Sequence, residues 1–229
     1  MDPKRLVIID GYSLLFRAFY GTRYLSTSDG RPTNALYGLV GMLFYVLEKQ
    51  RPQAMLVALD APGKTFRHAE FAEYKGTRRD TPDELKAQFP VARDLMAALG
   101  IPSIELTGFE ADDIVGTVSR KAEENGYHTT IITGDLDALQ LVDPCVSVMT
   151  PKVGVTDVAV YGVAEVMERM HAAGLSDVPV VVGGIIPEED AVALRAMGVA
   201  AVYTPKDFEL NRIMMDIVGL VEARPVAAE

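Results

Sequence analysis

The chain has 229 residues, 49% of them hydrophobic and 24% charged, enough for one large or two small domains. No apolar run approaches the ~20 residues needed to span a bilayer, and Met1-Asp2-Pro3-Lys4-Arg5 enters a strand rather than a signal-peptide stretch, so a cytoplasmic protein with no membrane partner is expected. The formal charge of −10 argues at first against a nucleic-acid partner, but it divides as −4 over residues 1–163 and −6 over 164–229, and several acids of the first part have the placement of metal ligands.

In chain order, short β-branched runs alternate with longer helical patterns, as expected for a mostly parallel sheet with helices on both faces. Strands are expected at 5–10, 54–59, 101–106, 129–133, 146–149 and 157–160, and helices at 33–49, 83–98, 110–125 and 136–142. The segment 61–82, punctuated by Pro62, Gly63, Gly76 and Pro82 and dense in charge, reads as a long functional loop or arch. From about residue 163 the texture changes: helix Val163–Ala173, strand Val178–Val182, helix Pro187–Met197, strand Val199–Tyr203 and helix Asp207–Val221 form two further βα units. This places a domain boundary at 162/163, with 1–162 and 163–229 as separate units. The single cysteine, Cys145, excludes an intrachain disulfide and a cysteine-built metal site, and its Pro144-Cys145-Val146 setting favours a buried structural thiol.

Seven carboxylates fall at or just past the ends of four apolar runs. Asp10 closes Arg5–Ile9, Asp60 closes Ala54–Leu59, Glu110, Asp112 and Asp113 follow Ile104–Leu106, and Asp135 and Asp137 follow Thr130–Thr133. Parallel strands would collect all seven at one sheet edge, where ligands of open α/β sheets bind. Taken singly, each acid is better explained as a helix cap or a first-turn residue. Four strand ends with the same feature point instead to a hard-cation site for Mg²⁺, Mn²⁺ or Ca²⁺. The arch adds Lys64, Arg67, His68, Lys75, Arg78, Arg79 and Lys86, interleaved with Phe66, Phe71 and Tyr74. That mixture suits a single strand threaded past a metal site, since cations meet phosphates and aromatics stack on unpaired bases.

Leu6–Gly11, Thr33–Gly38, Ala58-Leu59-Asp60, Thr65-Phe66-Arg67-His68, Tyr74–Arg78, Gly108-Phe109-Glu110-Ala111-Asp112-Asp113 and Thr133-Gly134-Asp135-Leu136-Asp137 resemble, in order and spacing, the 5′-nuclease domain of bacterial DNA polymerase I, of the flap-endonuclease family. The resemblance covers roughly residues 4–165 and implies a PIN/5′-nuclease-like α/β fold. It further implies metal ligation by Asp10, Asp60, Glu110, Asp112, Asp113, Asp135 and Asp137 with Mg²⁺ or Mn²⁺, and DNA with 5′ ends or flaps as the substrate. Lys75 and Arg78 would be catalytic and substrate-binding, with Arg67 supporting at the substrate. Tyr12 and Arg17 lie near the implied site. The family's later Gly-Asp-x-x-Asp-Asn-x-Pro-Gly element, which brings two more aspartates, and its helix-hairpin-helix segment do not occur here. Weakening of one of two ions, and impaired cleavage, are expected.

Residues 163–222 instead resemble the last two βα units of the cobalamin-binding domain of methylmalonyl-CoA mutase, through Asp177–Asp190 and Gly198–Pro205. The resemblance implies flavodoxin-like βα units, a fusion of two fragments, and a place for Gly183 and Gly184 beside the cofactor's nucleotide tail. Cobalamin itself is not expected: in the required Asp-x-His-x-x-Gly motif, His171 and Gly174 keep the spacing but Arg169 stands at the Asp position. A βα-βα fragment has an open strand edge, so it should extend the first sheet or self-associate. A chimeric scaffold without catalysis and, behind it, a corrinoid-binding module are the alternatives to a nuclease.

Overall fold

The first apolar run forms the centre of the sheet. Strand β1 (Lys4–Asp10) pairs in parallel with β2 (Ala54–Leu59) on one side and β4 (Tyr127–Ile132) on the other. With β3 (Ser103–Glu105), β5 (Val146–Val153) and β6 (Asp157–Tyr161), the order is β3-β2-β1-β4-β5-β6, and β6 alone runs antiparallel. The computed structural model describes residues 3–70, 80–153, 157–183, 186–204 and 209–222.

Alternate residues of β1 face opposite cores, as a strand buried on both sides requires. Val7 and Ile9 pack with Val57, Leu59 and Ile132 under α1 (Gly11–Gly21), α2 (Asn34–Gln50) and α5 (Gln88–Ala98). Leu6 and Ile8 pack with Ala58, Ile131 and Val148 under α6 (Ala111–Glu124). The expected α/β fold, with helices on both faces of a mostly parallel sheet, is the one observed.

Several expectations are corrected. Helix α1 occupies a stretch to which the sequence assigned no element; its start is specified by Asp10, whose Oδ1 accepts from the Ser13 amide at 3.3 Å. A glycine is required at its first position, because a Cβ on Gly11 would lie 2.5 Å from Leu59 Cδ2 and 2.8 Å from Val57 Cγ1. The helix expected over 83–98 divides at Ala87 into α4 (Asp83–Lys86) and α5. Pro90 explains the division: it has no amide to give the Lys86 carbonyl, and only a helix restarting near Gln88 puts it in a first turn. The segment 61–82 contains a short helix, α3 (Phe66–Glu70), and 136–142 is a 3₁₀ helix, Leu136–Leu141.

After α7 (Val163–Ala172), β7 (Val181–Gly183) and β8 (Ala201–Tyr203) pair in parallel as a separate two-stranded sheet, flanked by α8 (Glu188–Ala196) and followed by α9 (Leu210–Glu222). The two βα units therefore do not extend the first sheet. Gly183 ends β7, while Gly184 lies outside the described residues. Helix α7 bridges the two parts, with Met167 in the core of the small sheet and the Arg169 guanidinium donating to the Tyr161 hydroxyl of β6 at 2.9 Å.

Candidate metal centre

Strand order reverses at β1, and an open α/β sheet binds ligands in the crevice this reversal leaves at the carboxyl ends of its strands. There the protein has an open groove of about 1000 Å³ with Asp10, Asp60, Asp112 and Asp135 among its lining residues. Each element that reaches the crevice contributes an acid because a helix or turn begins there. Asp10 caps α1, Asp60 Oδ1 accepts from the amide of Ala111 at the start of α6 at 2.7 Å, and Asp135 Oδ1 accepts from Asp137 at 3.0 Å to start the 3₁₀ helix. Capping and clustering are thus one arrangement: the positive ends of the helices converge on the carboxylates and fix their orientation.

Asp10 is the most deeply buried of these four groups. It is 6% exposed, and burial, opposed by a 2.8 Å hydrogen bond from Thr133 Oγ1 and reinforced by the charges of Asp112 and Asp60, pushes its pKa up to about 6. A buried carboxyl surrounded by other carboxyls is the setting that a cation relieves, and an all-oxygen donor set suits a hard divalent ion.

The remaining three acids are placed differently. Glu110 is buried and lies 3.6 Å from the Arg67 guanidinium. Asp113 accepts from both Arg67 terminal nitrogens, at 2.7 and 2.8 Å, and from the Glu110 amide at 2.9 Å. Asp137 is exposed in the 3₁₀ helix. The Arg67 guanidinium forks onto Asp113 and lies 4.6 Å from the Phe66 ring centre, so in this structure it is paired with the acids at the start of α6. Phe66 in turn packs against Phe109 at 5.8 Å, and its amide donates to the Gly108 carbonyl, docking the near end of the arch on the loop before α6. The His68 ring nitrogen caps locally on Thr65, at 3.1 Å from its amide. Lys75 and Arg78, with Phe71 and Tyr74, lie outside the described residues.

Sequence reasoning missed Ser13 and Thr133. Thr133 Oγ1 reaches Asp10 and, at 3.1 Å, Ser13 Oγ, which accepts from the Gly134 amide at 3.0 Å; together they tie the end of β4 to the start of α1. Asp10 is a readable helix-start residue, but its spacing to Ser13 carries no signal, because only the Ser13 backbone amide meets it. Nothing local marked Thr133. Tyr12 and Arg17 do line the groove: the Tyr12 hydroxyl accepts from Arg93 at 2.7 Å, and Arg17 donates to the Lys152 carbonyl. Among the described residues, no helix is long and apolar enough to cross a membrane.

An open, mostly parallel α/β domain with an acid-lined groove at its switch point defines the class: a carboxylate-rich 5′-nuclease-type fold. The chain belongs to the family described as 5′-3′ exonuclease, N-terminal resolvase-like domain, which matches residues 5–171. Over 166 residues it is 46% identical to DNA polymerase I of Bacillus caldotenax, covering 72% of this chain and 19% of that protein. It is 45% identical over 148 residues to a 5′-3′ exonuclease of Aquifex aeolicus, covering 65% and 51%. The chain thus spans about a fifth of the polymerases it matches and about half of that exonuclease. In fold it is similar to a bacteriophage T5 5′-exonuclease with bound zinc (TM-score 0.55, 20% identity, 73% of this chain and 61% of that one). It is also similar to a T5 flap endonuclease in a pseudo-enzyme–product complex with DNA and metal ions (TM-score 0.56, 20% identity, 76% and 63%).

Proposed function

We propose that this chain is a divalent-metal-dependent 5′ nuclease acting on phosphodiesters of DNA that carries 5′ ends or flaps. The observation that carries this reading is the convergence of Asp10, Asp60, Asp112 and Asp135 on one groove, with Asp10 held near pKa 6 by burial and its neighbours. In this proposal these four acids hold Mg²⁺ or Mn²⁺, and Glu110, Asp113 and Asp137 orient waters or first-sphere partners around them. The bound ions would supply an activated water and offset charge on the phosphate.

The chain's own residues do the rest. Thr133 and Ser13 hold Asp10 in the ionised, metal-ready orientation. Arg67 keeps Glu110 and Asp113 compensated. Lys75 and Arg78 approach the scissile phosphate and the 5′ strand. Without the second pair of family aspartates, one ion is held weakly and cleavage needs excess Mn²⁺. We propose residues 163–229 as a separate structural unit. The cobalamin-domain resemblance and self-association through that unit rest on sequence pattern alone.

The test is cleavage of a labelled 5′-flap duplex over Mg²⁺ and Mn²⁺ series by the wild type and by Asp112→Asn. Metal-dependent cutting that the substitution lowers at least about 100-fold is expected; no cutting by a folded, flap-binding wild type would leave an inactive α/β scaffold as the correct description. Asp113→Ala is a poor control, because it also releases Arg67.

A further inference from the structure

The arch follows β2, so in the order β3-β2-β1-β4-β5-β6 it leaves the sheet on one side of the carboxylates, and β5 stands on the other. Neighbouring strands are about 4.8 Å apart, which puts the end of β5 roughly 14 Å from the end of β2. Asp60, Asp10 and Asp135 fill the interval, at or just past the ends of β2, β1 and β4. A single strand drawn from the arch past these acids crosses the ends of β4 and β5 next, and meets there the charge those elements present.

Strand β5 outruns its neighbour. Its last partner on β4 is Ile132, opposite Met149, and from Thr150 to Val153 it continues past the end of β4, paired only with β6. Thr150 Oγ1 donates to the Thr133 carbonyl at 2.9 Å, which holds this overhang against the residue that bonds Asp10. The register with β6 shifts between Pro151 and Val153, a bulge that inserts Lys152 as an extra residue. Bulges beside functional sites bend a strand and re-aim a side chain. Lys152 is exposed, and its carbonyl accepts from the guanidinium of Arg17, which lines the groove. Among the described residues, neither cation is paired with a carboxylate. Lysines commonly protect the edge strands of sheets, but β5 lies between β4 and β6, so that account does not apply.

Resting on the nuclease reading of the groove, we propose that Lys152 is a further substrate-binding residue: beside Arg17, it holds a backbone phosphate of the single strand on the β5 side of the acids, opposite the cations of the arch. A lysine ammonium is a compact point charge on a flexible stem, suited to a phosphate whose base is not read. The arch and the Arg17–Lys152 pair then grip the strand on both sides of the groove and keep the phosphodiester between them at the acids.

The test titrates the full chain into a fluorescently labelled 5′-flap duplex in Ca²⁺, with binding read by anisotropy over a series of KCl concentrations. On a single strand each phosphate contact adds about −0.7 to the slope of log affinity against log salt, or roughly fivefold in affinity between 1 M and 0.1 M salt. Lys152→Ala should make the slope shallower by about 0.7 and weaken binding about fivefold at 0.1 M salt, equally for two flaps of different sequence. Lys152→Arg should recover both. Lys121→Ala, which removes the same charge from the exposed last turn of α6 at the opposite edge of the sheet, should change neither. An unchanged slope in Lys152→Ala, an equal loss in Lys121→Ala, or a loss that Lys152→Arg does not recover overturns the role of Lys152 and leaves the nuclease reading in place. No salt-dependent flap binding by the folded wild type overturns both.

Discussion

Asp10 is asked both to start a helix and to stay charged beside Asp60 and Asp112, and the two demands set its energetics. Its pKa of about 6 lies above the ordinary 3.8 of an aspartate, so its contribution to stability is full below about pH 4 and is lost as pH rises through 6. The rise corresponds to about 3 kcal/mol borne by the metal-free protein at neutral pH. In EDTA at pH 7.5, Asp10→Asn should therefore melt higher than the wild type, on the order of 5 °C, and the gap should close near pH 4. With saturating Mn²⁺ the order should reverse, because the wild type gains a ligand and the variant does not. Thermal melts over this pH range decide the matter; a wild type more stable than Asp10→Asn in EDTA at pH 7.5 would remove the strain assigned to Asp10.

Helix α2 shows how one element depends on another far away in sequence. Its N-cap, Thr33, makes no side-chain capping bond, and the first amides of the helix are satisfied from α5. Gln88, 1% exposed, accepts from the Ala35 and Leu36 amides at 2.9 and 3.1 Å and donates to Asn34 Oδ1 at 3.1 Å. Asn34 continues the chain of bonds to the Phe19 carbonyl of α1 at 2.9 Å. Three helices, of which α1 and α5 line the groove, thus share a buried polar link. Gln88→Leu keeps the volume but orphans two buried amides, so it should lower unfolding stability by about 2–4 kcal/mol. Urea titration with an unchanged m-value would read this directly; a loss under about 0.5 kcal/mol would mean that water replaces the side chain. The restart of α5 at Gln88, which Pro90 enforces, is what places this residue in register with α2.

At the scale of the whole molecule, the two cores differ in size. The small sheet's core comprises Met167, Val182, Ile186, Ala191, Leu194, Val199 and Val202, whereas β1 is packed on both faces by large clusters. A core that small buries little apolar area, so its cooperative unit should open more easily. Amides of β7 and β8 should exchange with solvent at least about 100-fold faster than those of β1 and β4. Equal protection, measured by native-state hydrogen exchange, would show instead that the two parts unfold as one. Among the described residues, Met214, Met215, Val218 and Val221 on the apolar side of α9 are exposed and lie outside the small core.

The α/β class, the central strands and the ends at which acids gather were legible in the sequence because each is a local pattern: a continuous apolar run, a change of period, an acid at a run's end. The family was legible in motif order and spacing for the same reason. Tertiary structure alone decided which acids share the groove. Asp112 faces it while its neighbour Asp113 turns to Arg67, a choice made by a residue 46 positions away that spacing along α6 does not encode. The roles of Thr133 and Gln88 and the separate small sheet have the same origin. Each is a contact between segments that are distant in sequence, made when packing brings their buried polar atoms together and burial makes leaving them unpaired costly.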